Sequence, residues 1–359
     1  MASYPIKINK TSNSRLDSID FNNIPFGTIY SDHMFVADYI DGEWTNLEIA
    51  PFGPITMNPS NLTLHYGQSI FEGMKAFKDK DHQPLLFRPE MHAYRLNASA
   101  VRLCMPQLPT GLFDQALRTL VELDSGWIPE TEGSALYVRP FMFATDDFIG
   151  VKPSDTYKFI IFTCPVGPYY NHPVTLRVEE KYVRAADGGV GEAKCAGNYA
   201  ASLFPTKLAN KAGFDQVMWM DSKEFKYIEE VGTMNLFFVI DGVVITPATG
   251  GSILKGITRD SIITILKDKG YRVEERPISI DEVVDAYKGG KLDEAFGSGT
   301  AAVVADIKSI TYGDFEMIMR DPADLEVANL ARNEIKGIRD RTIDDKFGWV
   351  HLLEGASVA

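Results

Sequence analysis

The sequence predicts an α/β protein of two domains, and three observations carry that prediction. The chain has 359 residues, more than a single hydrophobic core usually organises. Apolar patterns of helical period alternate along it with aromatic and β-branched runs of strand character. Between them, Gly167-Pro168-Tyr169-Tyr170-Asn171-His172-Pro173 breaks both periodicities with one glycine and two prolines. A first domain at 1–166, a connector at 167–175 and a second domain at 176–359 follow.

In the first domain the clearest elements are a helix at 112–123, whose apolar positions share a face, and strands at 134–144 and 157–166. Past the connector the pattern predicts a strand at 174–183, a helix near 200–212, and strands at 216–220, 235–240 and 243–246. An amphipathic run follows at 260–267. Val303-Val304-Ala305-Asp306-Ile307 reads as a strand and 322–339 as an amphipathic helix. Neither an internal repeat nor a low-complexity segment interrupts this order.

Charge narrows the function. Thirty-six basic against 49 acidic side chains leave −13, with the basic residues scattered, which argues against a nucleic-acid surface. No apolar stretch approaches the ~18 residues of a membrane span. The first 20 residues carry acids and lack the apolar centre of a secretory signal, so a cytoplasmic location without a membrane partner is expected. Cys104, Cys164 and Cys195 are too few and too unevenly spaced for a disulfide framework. No Cys/His cluster has metal-ligand spacing, and Cys195 has no histidine near it in sequence to make it a nucleophile.

The most informative segment is Gly188-Gly189-Val190-Gly191-Glu192-Ala193-Lys194-Cys195-Ala196-Gly197-Asn198-Tyr199, which sets one lysine among glycines that admit a ligand close to the backbone. A lysine amine that loses hydration becomes a free nucleophile for a carbonyl, so Lys194 is the candidate for covalent chemistry. A nucleotide phosphate loop is excluded, because Ala193 precedes the lysine and Cys195 follows it where Gly and Ser/Thr are required. Phe296-Gly297-Ser298-Gly299-Thr300-Ala301-Ala302 has the glycine spacing of a dinucleotide site. The polar Lys291-Leu292-Asp293-Glu294-Ala295 before it and the strand pattern after it give the wrong context.

Glu229-Glu230-Val231-Gly232-Thr233-Met234-Asn235, read together with the lysine segment, closely resembles the pyridoxal-phosphate aminotransferases of fold type IV, and among them the branched-chain amino acid aminotransferases. Leu64 to Phe77, Leu86-Phe87-Arg88-Pro89 and Met91-His92-Ala93-Tyr94-Arg95-Leu96 resemble that family's N-terminal signature. The resemblance implies a smaller N-terminal α/β domain and a larger C-terminal domain whose strands form a pseudo-barrel. It implies pyridoxal 5'-phosphate as cofactor, with Lys194 as its covalent anchor and proton shuttle, Tyr199 near the ring oxygen and Glu230 on the ring nitrogen. Arg95, Ile257, Thr258 and Thr300 are implied for the phosphate, and Thr233 for the same site. Arg88, in the Phe-Arg-Pro turn, reads as structural.

Phe26, Tyr66, Phe71 and Tyr137 match the family's side-chain pocket, Ile149 and Val151 match residues lent by a partner subunit, and Arg139 matches the residue that accommodates glutamate. The backbone N–H groups of Thr300 and Ala301 are implied for the substrate carboxylate. Lys75 reads as structural or as pocket rim. An aromatic wall rewards leucine, isoleucine and valine at roughly 0.8 kcal/mol per buried methylene. The implied reaction carries the amino group of a branched-chain amino acid to 2-oxoglutarate, with glutamate and the branched 2-oxo acids as partners, in a homodimer. Some animal relatives have a Cys-x-x-Cys pair where this chain has Ala302 and Ala305, so that thiol switch is absent. Another type IV enzyme, such as a D-amino acid aminotransferase or an aminodeoxychorismate lyase, and a non-enzymatic binding protein on the same scaffold are the alternatives.

Overall fold

A computed structural model describes residues 3–168 and 172–353. The chain forms two compact units: Met1–Tyr169 with Ala193–Ala196 and Ile338–Ala359, and Tyr170–Glu192 with Gly197–Gly337. Of the expected connector, residues 169–171 lie outside the described residues.

The first unit contains β1 (Lys7–Ile8), β2 (His33–Ile40), β3 (Glu43–Pro51), α1 (Leu62–Tyr66), β4 (Ser69–Phe71), β5 (Met74–Lys78), β6 (Pro84–Phe87), α2 (Pro89–Arg102), α3 (Thr110–Leu123), β7 (Ala135–Ala144) and β8 (Tyr157–Val166). β7 and β8, the two strands read from their aromatic and β-branched content, lie side by side in a nine-stranded sheet. Leu112, Phe113, Ala116, Leu117, Leu120 and Val121 of α3 are all buried, as a helix burying one stripe requires.

In the second unit come β9 (Val174–Val178), α4 (Ala196–Lys211), β10 (Gln216–Met220), β11 (Ile228–Val231), β12 (Asn235–Ile240), β13 (Val243–Thr246), α5 (Ile257–Asp268), β14 (Val273–Glu275), α6 (Ile280–Lys288), β15 (Leu292–Gly299), β16 (Val303–Tyr312), β17 (Phe315–Ile318) and α7 (Glu326–Arg339). Its nine strands make a half-barrel in the order β11-β10-β9-β16-β15-β12-β13-β14, with β17 on β16. Val174, Leu176, Met218, Leu236, Phe238 and Ile310 are among the fully buried residues of its core. β18 (Val350–Leu352) comes last and pairs with β6 of the first unit.

Several elements depart from the sequence pattern for identifiable reasons. The strand expected to reach 183 stops at Val178, because the Glu179 carboxylate accepts the backbone N–H groups of Lys181 and Tyr182 and turns the chain. The stretch before the second glycine cluster, too polar in sequence for the buried strand of a dinucleotide site, is the start of the largely buried β15. Buried Glu294 is there because its carboxylate accepts the N–H groups of Val327 and Ala328 at 2.8 and 2.9 Å, satisfying the open end of α7. The dinucleotide reading still fails, since β15 turns straight into antiparallel β16 and no helix follows. The helix expected from 322 is a short 3₁₀ turn at Pro322–Asp324, then extended Leu325, then α7. Residues 338–359, expected in the second domain, belong to the first unit, where β18 extends the sheet and Arg341 pairs with Asp79.

Candidate active site

Lys194 lies in the short stretch 193–196 that belongs to the first unit. Its backbone is held on both sides: its N–H donates to Ser99 Oγ of α2 at 2.9 Å, and its carbonyl accepts from Phe71 N–H of β4 at 2.9 Å. Cys195 bridges Ile70 and is buried. The half-buried Lys194 ammonium stands 4.9 Å from the centroid of the Phe71 ring. The Arg139 guanidinium lies over the same ring at 4.7 Å and over Tyr137 at 5.2 Å, and donates to the Tyr137 hydroxyl at 2.8 Å. Phe26 meets Tyr137 edge-on at 5.7 Å. Lys194, Phe71, Arg139, Tyr137 and Phe26 therefore form one connected group. Among the described residues, the buried Nε of Arg139 has no hydrogen-bond partner.

Gly73 is required by this group, since a Cβ there would stand 2.1 Å from the Tyr137 hydroxyl. Its neighbour Glu72 is fully buried and grips Arg95 with both oxygens, at 2.7 Å to Nε and 2.8 Å to Nη2. His92 Nδ1 lies 2.6 Å from the same carboxylate. Burial would raise the Glu72 carboxyl, but the Arg95 charge and hydrogen bonds, aided by His92, hold it well below the usual range. Burial pushes His92 down.

The second unit carries the other implied residues. Arg184, Asn198, Tyr199, Ser202, Glu230, Gly232, Thr233 and Leu254 line an open hollow. Glu230, only 3% exposed, faces it from β11. Its Oε1 accepts from Asn235 Nδ2 and from Leu254 N–H, each at 3.1 Å, and its Oε2 forms an ion pair with Arg184 Nε. Asn235 also donates to the Leu254 carbonyl at 2.9 Å, a bond that needs Gly256, where a Cβ would collide with Asn235 Oδ1. Thr233 sits in the tight turn joining β11 to β12, with Gly232 at φ +53°. Glu229 and Glu230 are both buried.

Ile257 and Thr258 open α5 behind Gly256, and Thr300 and Ala301 sit in the hairpin turn between β15 and β16; none of the four lines that hollow. The hairpin re-enters β16 at Val303 with φ +60°, a strained value for a β-branched residue. Tyr66, beside His65, is 41% exposed, and Ile149 and Val151 are 70% and 90% exposed. Arg88 stacks on Trp349 at 4.8 Å. Sequence reasoning missed Arg184, Glu72 as the holder of Arg95, and Leu254. A lone arginine in Tyr182-Val183-Arg184 gives no signal, whereas Glu72 stood inside a motif already singled out. No group of His, Cys, Asp and Glu among the described residues could hold a metal ion, and no helix there is long and apolar enough to cross a membrane.

Residues 69–310 match the model of the family described as Amino-transferase class IV. The chain is 46% identical over 353 residues to "Branched-chain-amino-acid aminotransferase 2" of Bacillus subtilis (strain 168), covering 97% of each chain. This chain belongs to the branched-chain-amino-acid aminotransferases of class IV. Another relative of that family, the "Probable branched-chain-amino-acid aminotransferase" of Staphylococcus aureus (strain MRSA252), is 49% identical over 335 residues, 92% of this chain and 93% of that one. Among solved branched-chain aminotransferases, the one from Escherichia coli superposes with a TM-score of 0.71 at 27% identity, covering 89% of this chain and 98% of that one. The T.th. enzyme complexed with N-(5'-phosphopyridoxyl)-L-glutamate gives 0.72 at 26% identity, covering 90% and 99%.

Proposed function

We propose that the chain transfers the amino group of L-leucine, L-isoleucine or L-valine to 2-oxoglutarate, reversibly, with pyridoxal 5'-phosphate as cofactor. The observation that carries this reading is the buried Glu230 carboxylate sharing one hollow with Tyr199, in a member of a family whose named relatives are branched-chain aminotransferases. The residues fit the cofactor: Glu230 offers a paired anion for a protonated ring nitrogen, and Tyr199 supplies a phenol in the same wall.

When bound, the cofactor supplies an electron sink for charge that develops at the substrate α-carbon. Lys194 then has two tasks, covalent attachment of the cofactor and transfer of the proton at that α-carbon, both suited to an amine on a backbone pinned by Ser99 and Phe71. Glu230 holds the ring proton, and Arg184 and the Leu254 N–H keep the carboxylate aimed. Arg95, oriented by Glu72, is assigned to the phosphate together with the α5 turn at Ile257 and Thr258 and with Thr300. Thr233 belongs to the same wall as Glu230. The N–H groups of Thr300 and Ala301 serve the substrate carboxylate.

Phe71, Tyr137 and Phe26 provide the apolar wall for a branched side chain. In the second half-reaction, the unpartnered Nε of Arg139 is the donor that the distal carboxylate of glutamate would satisfy. Tyr66 is assigned to the same pocket. Exposed Ile149 and Val151 are assigned to the pocket of a second subunit, which makes the working unit a dimer.

The test is the visible absorbance of the reconstituted protein on addition of excess L-leucine with no oxo acid. The spectrum of bound pyridoxal phosphate is expected to give way to that of pyridoxamine phosphate, and Lys194→Ala is expected to abolish the change. A bound cofactor indifferent to L-leucine would refute the substrate assignment.

A further inference from the structure

Glu229 and Glu230 are adjacent in β11, yet only Glu230 lines the hollow. In the pairing with β10, Trp219 stands opposite Glu230 and Met220 opposite Ile228, so Glu229 is the extra residue of a β-bulge. Bulges re-aim side chains beside functional sites. This one leaves Glu229 only 9% exposed, with Oε1 accepting a hydrogen bond from Ser252 Oγ. Ser252 is itself 5% exposed and belongs to the loop that leads from β13 to α5.

The same loop touches the surroundings of Glu230 at two other points. The Ser252 carbonyl accepts from Arg184 Nη1 at 3.2 Å, and the Leu254 N–H donates to Glu230 Oε1 at 3.1 Å. On its far side the Gly251 carbonyl accepts from Glu192 N–H at 3.1 Å. The loop passes so close to Gly191 that a Cβ there would stand 2.5 Å from the Ser252 carbonyl oxygen. Backbone therefore packs against the loop at Gly191 and Glu192, and the Glu229–Ser252 bond ties its side chain to β11.

We propose that Glu229 is a positioning residue for Glu230: its bond to Ser252 holds the loop at the depth from which the Leu254 amide and the Arg184 guanidinium reach the Glu230 carboxylate. The inference rests on the ring-nitrogen role given to Glu230 above. The groups that face Glu229 are Ser252 from the loop, Glu230 beside it, Arg184 from the segment after β9, and Asp221 from the turn after β10. Burial, opposed by the Ser252 hydroxyl and reinforced by the Glu230 charge, pushes the Glu229 carboxyl up to about 7. Both its protonated and ionised forms accept the Ser252 hydrogen bond. Ionisation, however, sets a second negative charge beside Glu230, which favours protonation of whatever Glu230 faces.

Two variants separate anchoring from charge. Ser252→Ala removes the tie, and Glu229→Gln keeps an acceptor for Ser252 while removing the titration. Hydrogen exchange at the Leu254 amide in the protein without added ligand is expected to speed up about tenfold in Ser252→Ala and to stay slow in Glu229→Gln. In the protein loaded with pyridoxal phosphate, the pH titration of visible absorbance is expected to show a step near neutrality. That step should vanish in Glu229→Gln and move to higher pH in Ser252→Ala. Unchanged Leu254 exchange in Ser252→Ala overturns the proposal. Altered exchange with an absorbance that ignores pH in every variant leaves the anchor standing and removes the titration of Glu229 near neutrality, whereas a cofactor spectrum unchanged by Glu230→Gln removes the ring-nitrogen role of Glu230.

Discussion

Lys75 stands directly across from Tyr137 in the β5–β7 pair and is 8% exposed. Loss of hydration, with repulsion from the Arg339 guanidinium, pushes its amine down to about 8. In the unfolded chain a lysine titrates near 10.4. Between these values the unfolded state binds the extra proton, so stability rises with pH from about 8 to about 10.4, and below that window the charged amine is a standing cost. Lys75→Met is expected to gain on the order of 2–3 kcal/mol at pH 7 and to flatten that rise. Urea denaturation from pH 7 to 10 checks both, and an unaltered slope would show that burial of Lys75 is not what sets it. The sequence displayed Lys75 only as one residue of a motif. Lys194 was singled out by the glycines around it, and Glu230 only through the resemblance of its segment to the family. Arg184 and Leu254, which reach Glu230, and Ser252, which bonds Glu229 and Arg184, were not, because they come from other segments of the sequence and none has a distinctive neighbour.

At the scale of elements, local backbone geometry decides which side chains meet. Gly73 enters β5 with the Tyr137 hydroxyl where a methyl would be, so Gly73→Ala is expected to displace Tyr137 and break its bond to Arg139. A destabilisation of about 1–3 kcal/mol is expected from such overpacking. If Arg139 serves both substrates, the KM for 2-oxoglutarate should rise along with that for leucine; thermal melts and steady-state kinetics measure the two effects separately. Strands β7, β8, β10, β12 and β13 were readable because they are rich in β-branched or aromatic residues. β15 was obscured by Asp293, which pairs with Arg320, and by Glu294, whose reason lies in α7 more than thirty residues on. α4 starts at Ala196, ahead of the expected 200, and carries its apolar residues with little helical periodicity: Leu203 and Phe204 are exposed while Pro205 and Ala209 are buried.

For the whole molecule, the proposed dimer makes a definite demand. Leu64, Tyr94, Val101, Phe148, Ile149 and Val151, all of the first unit, are large apolar side chains exposed in the single chain. Substituting Ile149→Asp with Val151→Asp is expected to leave each chain folded, to weaken self-association in sedimentation velocity and to lower kcat/KM for leucine at least tenfold. A protein that is fully active as a monomer would contradict the assignment of these two residues to a neighbour's pocket. The charge of the sequence argued against a nucleic-acid surface, but which exposed residues gather on one unit is visible only once the chain is folded.

The pairing of β18 with β6 matters most while the protein is being made. β6 is complete by Phe87, but its outer partner exists only when Val350 to Leu352 have been synthesised. Throughout translation of the intervening chain, the nascent first unit carries an open sheet edge, the kind of surface that invites pairing with another chain. The ribosome therefore releases a finished first unit no earlier than the finished second one, and a chain without Val350 to Leu352 would keep that edge bare.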